Sequence, residues 1–332
     1  VKFNSNIIFL LTALTLISCK NNNTQVVSEN TTNDSLNTIT SKVELALEMN
    51  SKLGEGAFWH YQTNQLYWID ILNNQLYIYD PNTGTNKSFE MPTSIGTVVP
   101  QTDTTAVVAL VDGIYIQNTK SGTLSLLSDV ESDVPENRFN DGKSDPNGNL
   151  WVGSMHYAQT EANAKLYRIT PEGHTTAMLD SITISNGIVW SKDASTMYYI
   201  DTPTAKIRAF DYDASTASIS NERVVVQVPD SLGSPDGMAI DSEDKLWVGM
   251  WNGDGVIRFD PVTGEVLEKV PVPAHNVTSC AFGGPNLQTL YITTASVDMT
   301  PEEQEKYPLA GSVFKVETKV KGVPSTPFGT NQ

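Results

Sequence analysis

One pattern of apolar and polar positions recurs along most of the chain. An apolar run leads into a turn, a strand opening on an apolar-aromatic pair follows, and a second turn leads to another strand ending near Asp-Pro or Gly. The clearest copies are QLYWIDILNNQLYIYDPNTG from Gln65, NLWVGSM followed by KLYRITPEG, TMYYIDTPTAKIRAFDYD from Thr196, and KLWVGMWNGDGVIRFDPVTG from Lys245. Weaker copies are AVVALVDGIYIQNTKSG from Ala106 and TLYITTA followed by GSVFKVET. These segments are short, rich in Tyr, Trp, Ile and Val, and stop at Asn-Gly, Asp-Pro or Thr-Gly, as strands and tight turns do. No long segment carries the 3.6-residue period of a helix. Six copies at a spacing of about 40 to 50 residues match a propeller blade of four antiparallel strands. The pattern predicts an all-β fold, a six-bladed β-propeller spanning residues 43–332. A helical solenoid lacks the strand signals, and a β-sandwich leaves the repeat unexplained.

Ahead of residue 43 the pattern changes. Ile7 to Ile17 is an apolar run preceded by a single Lys, too short to span a bilayer comfortably, and Leu16-Ile17-Ser18-Cys19 resembles the lipobox of bacterial lipoproteins. The resemblance implies a signal peptide over 1–18, lipidation at Cys19, and a flexible Asn-, Thr- and Ser-rich tether over 19–42. The expected location is then the bacterial cell envelope, facing periplasm or outside, with membrane contact through the N-terminal lipid only.

Composition narrows the functional classes. Against 38 Asp and Glu the 332 residues carry 21 Lys and Arg, a net charge of −17, which argues against a nucleic-acid partner and suits cation binding. Two cysteines, Cys19 and Cys280, make no disulfide framework, and Cys280 in the apolar TSCAFGG reads as a buried small hydrophobe. His60, His156, His174 and His275 lie far apart and read as loop or turn residues, with His156 nearest the channel mouth. Trp59, Trp151, Trp190 and Trp247 recur beside the strands and read as packing between blades.

The segment RFNDGKSDPNGNLWVGSM, from Arg138, holds two turn-like spots, Asn140-Asp141-Gly142 and Asn147-Gly148, too close together to serve as two hairpins. Counting back from the apolar-aromatic pair of each copy separates them. Glu55 lies eleven residues before Leu66, Asn140 ten before Leu150, Asn186 eleven before Met197, and Asp236 ten before Leu246. Four blades thus place an oxygen-bearing side chain at nearly one position, each close to a Gly. Innermost strands line the channel of a propeller, so these side chains should converge. Two carboxylates and two amides form a hard oxygen set suited to Ca²⁺, Mg²⁺ or Mn²⁺, with Zn²⁺ also able to take oxygen ligands. The second and sixth copies carry apolar or small groups near Ile95 and Ser279 instead, so the ring should be open on one side.

LGEGAFWH, RFNDGKSDPNGNLWVGSM, ISNGIVWSKDASTMYYIDT, PDGMAIDSEDKLWVGMWNGDGVIRFDPVTG and TSCAFGGPNLQTLYIT, in this order, resemble the regucalcin, senescence marker protein and gluconolactonase family. The resemblance runs from about Leu53 to Val320. It implies a monomeric six-bladed propeller that binds one divalent cation, Ca²⁺ first among the candidates, and hydrolyses a small sugar lactone. The family's metal ligands fall on Glu55, Asn186 and Asp236, and its substrate-binding residues on Arg138 and Asn140. Asp236 is then also the catalytic general base. The resemblance moves Asn140 toward the substrate, which spacing alone leaves open. Some members carry a further carboxylate after the strand ending in GSM; here HYAQTEANAKL stands there, with Glu161 as the candidate. An organophosphate or aryl-ester hydrolase on the same propeller is the alternative enzyme, and a non-catalytic, metal-stabilised binding propeller the alternative outside enzymes.

Overall fold

The computed structural model describes residues 42–330. The proposed signal peptide, Cys19 and nearly all of the tether lie outside these residues. Six four-stranded antiparallel sheets follow one another, over residues 54–90, 95–128, 137–182, 185–227, 234–271 and 276–317. In the first five, strand order within the sheet equals chain order. The sixth takes its outermost strand from the start of the domain: Glu44–Leu47 pairs with Val313–Glu317, Leu45 facing Phe314. First and last strands thus share one sheet, which closes the ring and completes the sixth blade, with the short Glu44–Leu47 as its outer edge. The expected six-bladed propeller is the observed fold; the repeat pattern alone did not indicate where the closing strand comes from.

The inner strands Gly54–His60, Ile95–Thr102, Asn137–Ser144, Ser185–Trp190, Ser234–Ile240 and Asn276–Gly283 are nearly wholly buried. Tryptophans fill the seams between blades. Trp59 stacks on Tyr291 with ring centres 5.3 Å apart, Trp151 meets Trp190 edge-on at 5.8 Å, and Trp247 meets Phe282 at 5.5 Å. Such pairs add about 0.5–1.5 kcal/mol each beyond area burial.

Two of these tryptophans belong to a local device that answers the question of the paired turns. Asp145 accepts the backbone amides of Asn147 and Asn149, at 2.9 Å each, and the Trp151 indole N–H at 2.8 Å. Asp241 does the same for Glu243, Lys245 and Trp247. Asn147-Gly148 is therefore the hairpin turn, with Gly148 at φ 78°, where a glycine is needed. Asn140 and Asp141 lie inside the inner strand. The segment 251–254 likewise turns the chain between paired strands, as expected. A short helix, Pro301–Lys306, begins in a Thr300/Glu303 capping box, and no described helix is long and apolar enough to cross a membrane.

Past the last strand the chain becomes a strap that the repeats did not foreshadow. Val323 N–H donates to Ile240 O, Phe328 N–H to Pro100 O and Gly329 N–H to Gly148 O, so the strap ties the far ends of blades five, two and three. Phe328 is fully buried in the core between the first blades.

Candidate active site

Each inner strand carries one extra residue relative to its neighbour. Two residues face one at Gly56-Ala57, Asn140-Asp141 and Asp236-Gly237, and a single residue is inserted at Gly96, Gly187 and Thr278. A bulge bends the strand and re-aims its side chains. The ladders give a common count from Trp59 (opposite Leu66), Pro100 (Ala106), Ser144 (Leu150), Trp190 (Met197), Ile240 (Leu246) and Phe282 (Leu290). Four residues back lie Glu55, Gly96, Asn140, Asn186, Asp236 and Thr278. The four polar side chains share one register, as expected. Gly96 and Thr278, one residue from the expected Ile95 and Ser279, occupy the register itself, because the turns before the second strand differ in length between blades. Gly96 leaves a gap in the ring, and the Thr278 hydroxyl is occupied by the Gly54 carbonyl and Thr293.

The loops before two of these side chains are held by matching aspartates. Asp70 accepts the Lys52 and Leu53 amides at 3.0 and 3.1 Å, two residues short of Glu55, and Asp201 accepts the Ile184 amide at 2.9 Å, two residues short of Asn186. Both belong to the YWID and YYID strands that mark the repeat, so the same sequence signal builds the blade and fixes the entry to the site.

Glu55, Arg138, Asn140, Asn186 and Asp236 are all buried, none more than 7% exposed. Arg138 Nη1 donates to Asn140 Oδ1 at 2.8 Å and to the Phe139 carbonyl at 2.9 Å. Asn140 Nδ2 donates to the Ser185 carbonyl at 2.7 Å and to Asn186 Oδ1 at 3.2 Å. Burial, then the neighbouring Asp141, pushes the Glu55 carboxyl up to about 8, although its own Gly56 amide and Arg138 favour the ion. Asp236 is raised well above the ordinary carboxylate range, by burial first and then by Glu55 and Asp141. Each carboxyl group acts on the other, and Asp236 Oδ1 is buried without a hydrogen-bond partner. Burial lowers the Arg138 guanidinium, opposed by Tyr157, Glu55 and Asp236.

Two like-charged carboxylates buried together, one with an orphaned oxygen, fit a bound cation, which would offset their repulsion and desolvation. No three His, Cys, Asp or Glu side chains among the described residues cluster as a metal centre by themselves. The set therefore fits an ion only with an amide oxygen, such as that of Asn186, beside Glu55 and Asp236.

Two charged side chains of this channel were missed. Asp141 sits in the same bulge as Asn140 and is buried, its carboxyl raised by burial. Lys143 is buried beside it, its ammonium lowered by burial and donating to the Met238 carbonyl at 2.8 Å. Asp141-Gly142 is such a common turn pair that the Asp carried no signal of its own. Glu161 does not enter the site. It lies exposed on the loop after Leu150–His156. His156 accepts the Ala158 amide at 3.0 Å, a turn role as expected. His275 does more than expected of a loop residue. It bridges Asp254 at 2.7 Å and Glu303 at 3.2 Å while stacking on Tyr307. Cys280 is buried and its thiol is pushed up to about 12 by burial, in keeping with a packing role. A cavity with about 660 Å³ of atom-free space, partly open to solvent, lies by the strap at the other end of the inner strands; Lys143, Ser144 and Trp190 line it, and Glu55, Asn186 and Asp236 do not.

Comparison with known proteins adds independent evidence. The family described as the SMP-30/Gluconolactonase/LRE-like region matches residues 53–296. The Bacillus subtilis protein YvrE, provisionally named a sugar lactone lactonase, is 35% identical over 284 residues, covering 86% of this chain and 97% of its own. Human regucalcin is 37% identical over 288 residues, covering 85% and 96%. The crystal structure of a calcium-binding protein, regucalcin, from Agrobacterium tumefaciens superposes with a TM-score of 0.83 at 27% identity, covering 87% of this chain and 98% of that one.

Proposed function

We propose that this chain, which belongs to the SMP-30/Gluconolactonase/LRE-like family, opens the ring ester of a small sugar lactone with the help of one divalent cation. The observation that carries the reading is the buried Glu55–Asp236 carboxyl pair at the same end of the channel as the Arg138–Asn140–Asn186 chain. Glu55, Asn186 and Asp236 would hold the ion, and an all-oxygen donor set favours Ca²⁺, with Mg²⁺, Mn²⁺ and Zn²⁺ to be compared. When bound, such an ion supplies Lewis-acid polarisation of the lactone carbonyl. Asp236 takes the proton of the attacking water as its oxygen bonds to the carbonyl carbon. The ring C–O bond then breaks, and the proton passes to the departing ring oxygen, giving a hydroxy acid. General-base help of this kind contributes about 10²- to 10⁴-fold. Arg138 and Asn140 orient the sugar hydroxyls.

Acid release from glucono-δ-lactone, corrected for spontaneous hydrolysis, tests this. Chelation should abolish the enzymatic rate, Ca²⁺ should restore it, and Asp236→Ala should remain at background. A rate indifferent to chelator, or unchanged in Asp236→Ala, would refute the reading. Turnover of aryl esters or organophosphates but not lactones would select the alternative hydrolase. Chelation that lowers the melting temperature while no substrate is turned over would select the binding propeller. We extend the proposal to location: the lipobox-like LISC segment supports anchoring of the domain at the cell envelope through Cys19. Cys19→Ala should then shift the protein from the membrane to the soluble fraction.

A further inference from the structure

The hydrogen bonds around Asn186 run in one direction. Arg138 can only donate, and it donates to Asn140 Oδ1. Asn140 must then present its amide nitrogen onward, and it does so to Asn186 Oδ1. At the far end the Pro235 carbonyl can only accept, and the Thr202 hydroxyl gives it its single proton at 2.8 Å. The Thr202 oxygen is left to accept from Asn186 Nδ2, also at 2.8 Å. With a pure donor at one end and a pure acceptor at the other, every amide between them has one permitted orientation.

Thr202 itself is rigidly placed. Its backbone N–H is bonded to Ile184 O at 3.1 Å and its carbonyl accepts from Ala205, as the first residue of a 3₁₀ turn. The residue at the same offset from the second strand is Ile71, Val111, Met155, Trp251 and Ala295 in the other blades. A hydroxyl stands there only in the blade that carries Asn186, and its acceptor precedes Asp236. It joins the strands of two of the residues assigned to the ion.

We propose that Thr202 is a positioning residue, which holds the Asn186 amide so that its oxygen, not its nitrogen, faces the cation position. This rests on the ion assignment made above. Without the hydroxyl, Asn186 Nδ2 loses its acceptor, the longer 3.2 Å bond from Asn140 alone distinguishes the two ends of the amide, and a turned amide would present N–H to a cation. Removing such an outer partner of a ligand typically costs about 10- to 100-fold in metal affinity.

The test uses Thr202→Val, which keeps shape, and Thr202→Ser, which keeps the hydroxyl. Calorimetric titration of chelator-treated protein with Ca²⁺ alone should show affinity about tenfold weaker or worse in Thr202→Val and restored in Thr202→Ser, with metal-free melting temperatures closely similar. The side-chain amide signal of Asn186 in ¹⁵N spectra, identified by its loss in Asn186→Asp, gives a reading that needs no ion. It should be shifted and exchange faster in Thr202→Val and recover in Thr202→Ser. Equal Ca²⁺ affinity in wild type and Thr202→Val, or an unchanged amide signal, would overturn the proposal. A wild type that binds no Ca²⁺ while the amide responds as described would refute the ion assignment and leave the orienting role of Thr202 standing.

Discussion

Glu55→Gln should make the metal-free protein more stable while abolishing lactone hydrolysis. In the folded state the Glu55 carboxyl is pushed from its ordinary 4.5 up to about 8, by burial first and then by Asp141. Between these two values the folded protein holds a proton that the unfolded chain has released, so this group's contribution falls as pH rises through the window. For one such group, linkage gives a cost of roughly 0.8 kcal/mol at pH 5 and roughly 3.3 kcal/mol at pH 7. Gln never ionises, so its advantage over wild type should grow by about 2.5 kcal/mol between these pH values. In a domain of this size that is a gap in melting temperature widening by about 5 °C. The assay is thermal unfolding of both proteins in chelator at several pH values. Surface carboxylates with lowered pKa, such as Asp193 and Asp211, titrate the other way, but they do so in both proteins and cancel in the difference. Ca²⁺ at a thousand times its Kd should reverse the order at pH 7, since it adds about 4.1 kcal/mol to the wild type alone, more than the roughly 3.3 kcal/mol advantage of the variant. A metal-free variant less stable than wild type at pH 7, or a gap that does not widen with pH, would refute the reasoning.

Three other outcomes are expected. A Cβ at Gly96 would sit 2.5 Å from the Phe139 carbonyl oxygen and 2.9 Å from the Asn140 nitrogen, so Gly96→Ala should cost about 1–3 kcal/mol in urea unfolding and raise KM through Arg138 and Asn140. Phe328→Ala should cost about 3–5 kcal/mol by the same measurement, since the ring is fully buried under the strap. In a Cys19→Ser background, Cys280 should resist thiol reagents at pH 8 while folded and react on unfolding, because burial holds its thiol near 12.

Part of the site was legible because register and repeat are properties of local sequence. Glu55, Asn140, Asn186 and Asp236 stand at nearly equal distances from their strand pairs, and the ladders place them at one position. The small disagreements in that count, ten against eleven, and the one-residue offsets at Ile95 and Ser279 came from unequal turns before the second strand, since every inner strand carries the same single extra residue. Asp141, Lys143 and Thr202 were not legible, since an Asp-Gly pair, a strand lysine and a threonine after a strand are ordinary until neighbouring blades are set against them.

The sequence by itself determined the all-β class, the number of blades, the turn at Asn147-Gly148 and the polar register, because each is carried by alternation, turn chemistry and spacing within some 40 residues. Tertiary structure alone decided that Glu44–Leu47 closes the last blade, that the strap crosses the far side, and that Glu161 stays outside the site. It also decided the charge state of the Glu55–Asp236 pair and the orientation of Asn186. The reason is physical: desolvation and like-charge repulsion arise only when blades distant in the chain exclude water together. An amide's direction, likewise, is settled only by whichever donors and acceptors the folded chain brings to its two ends.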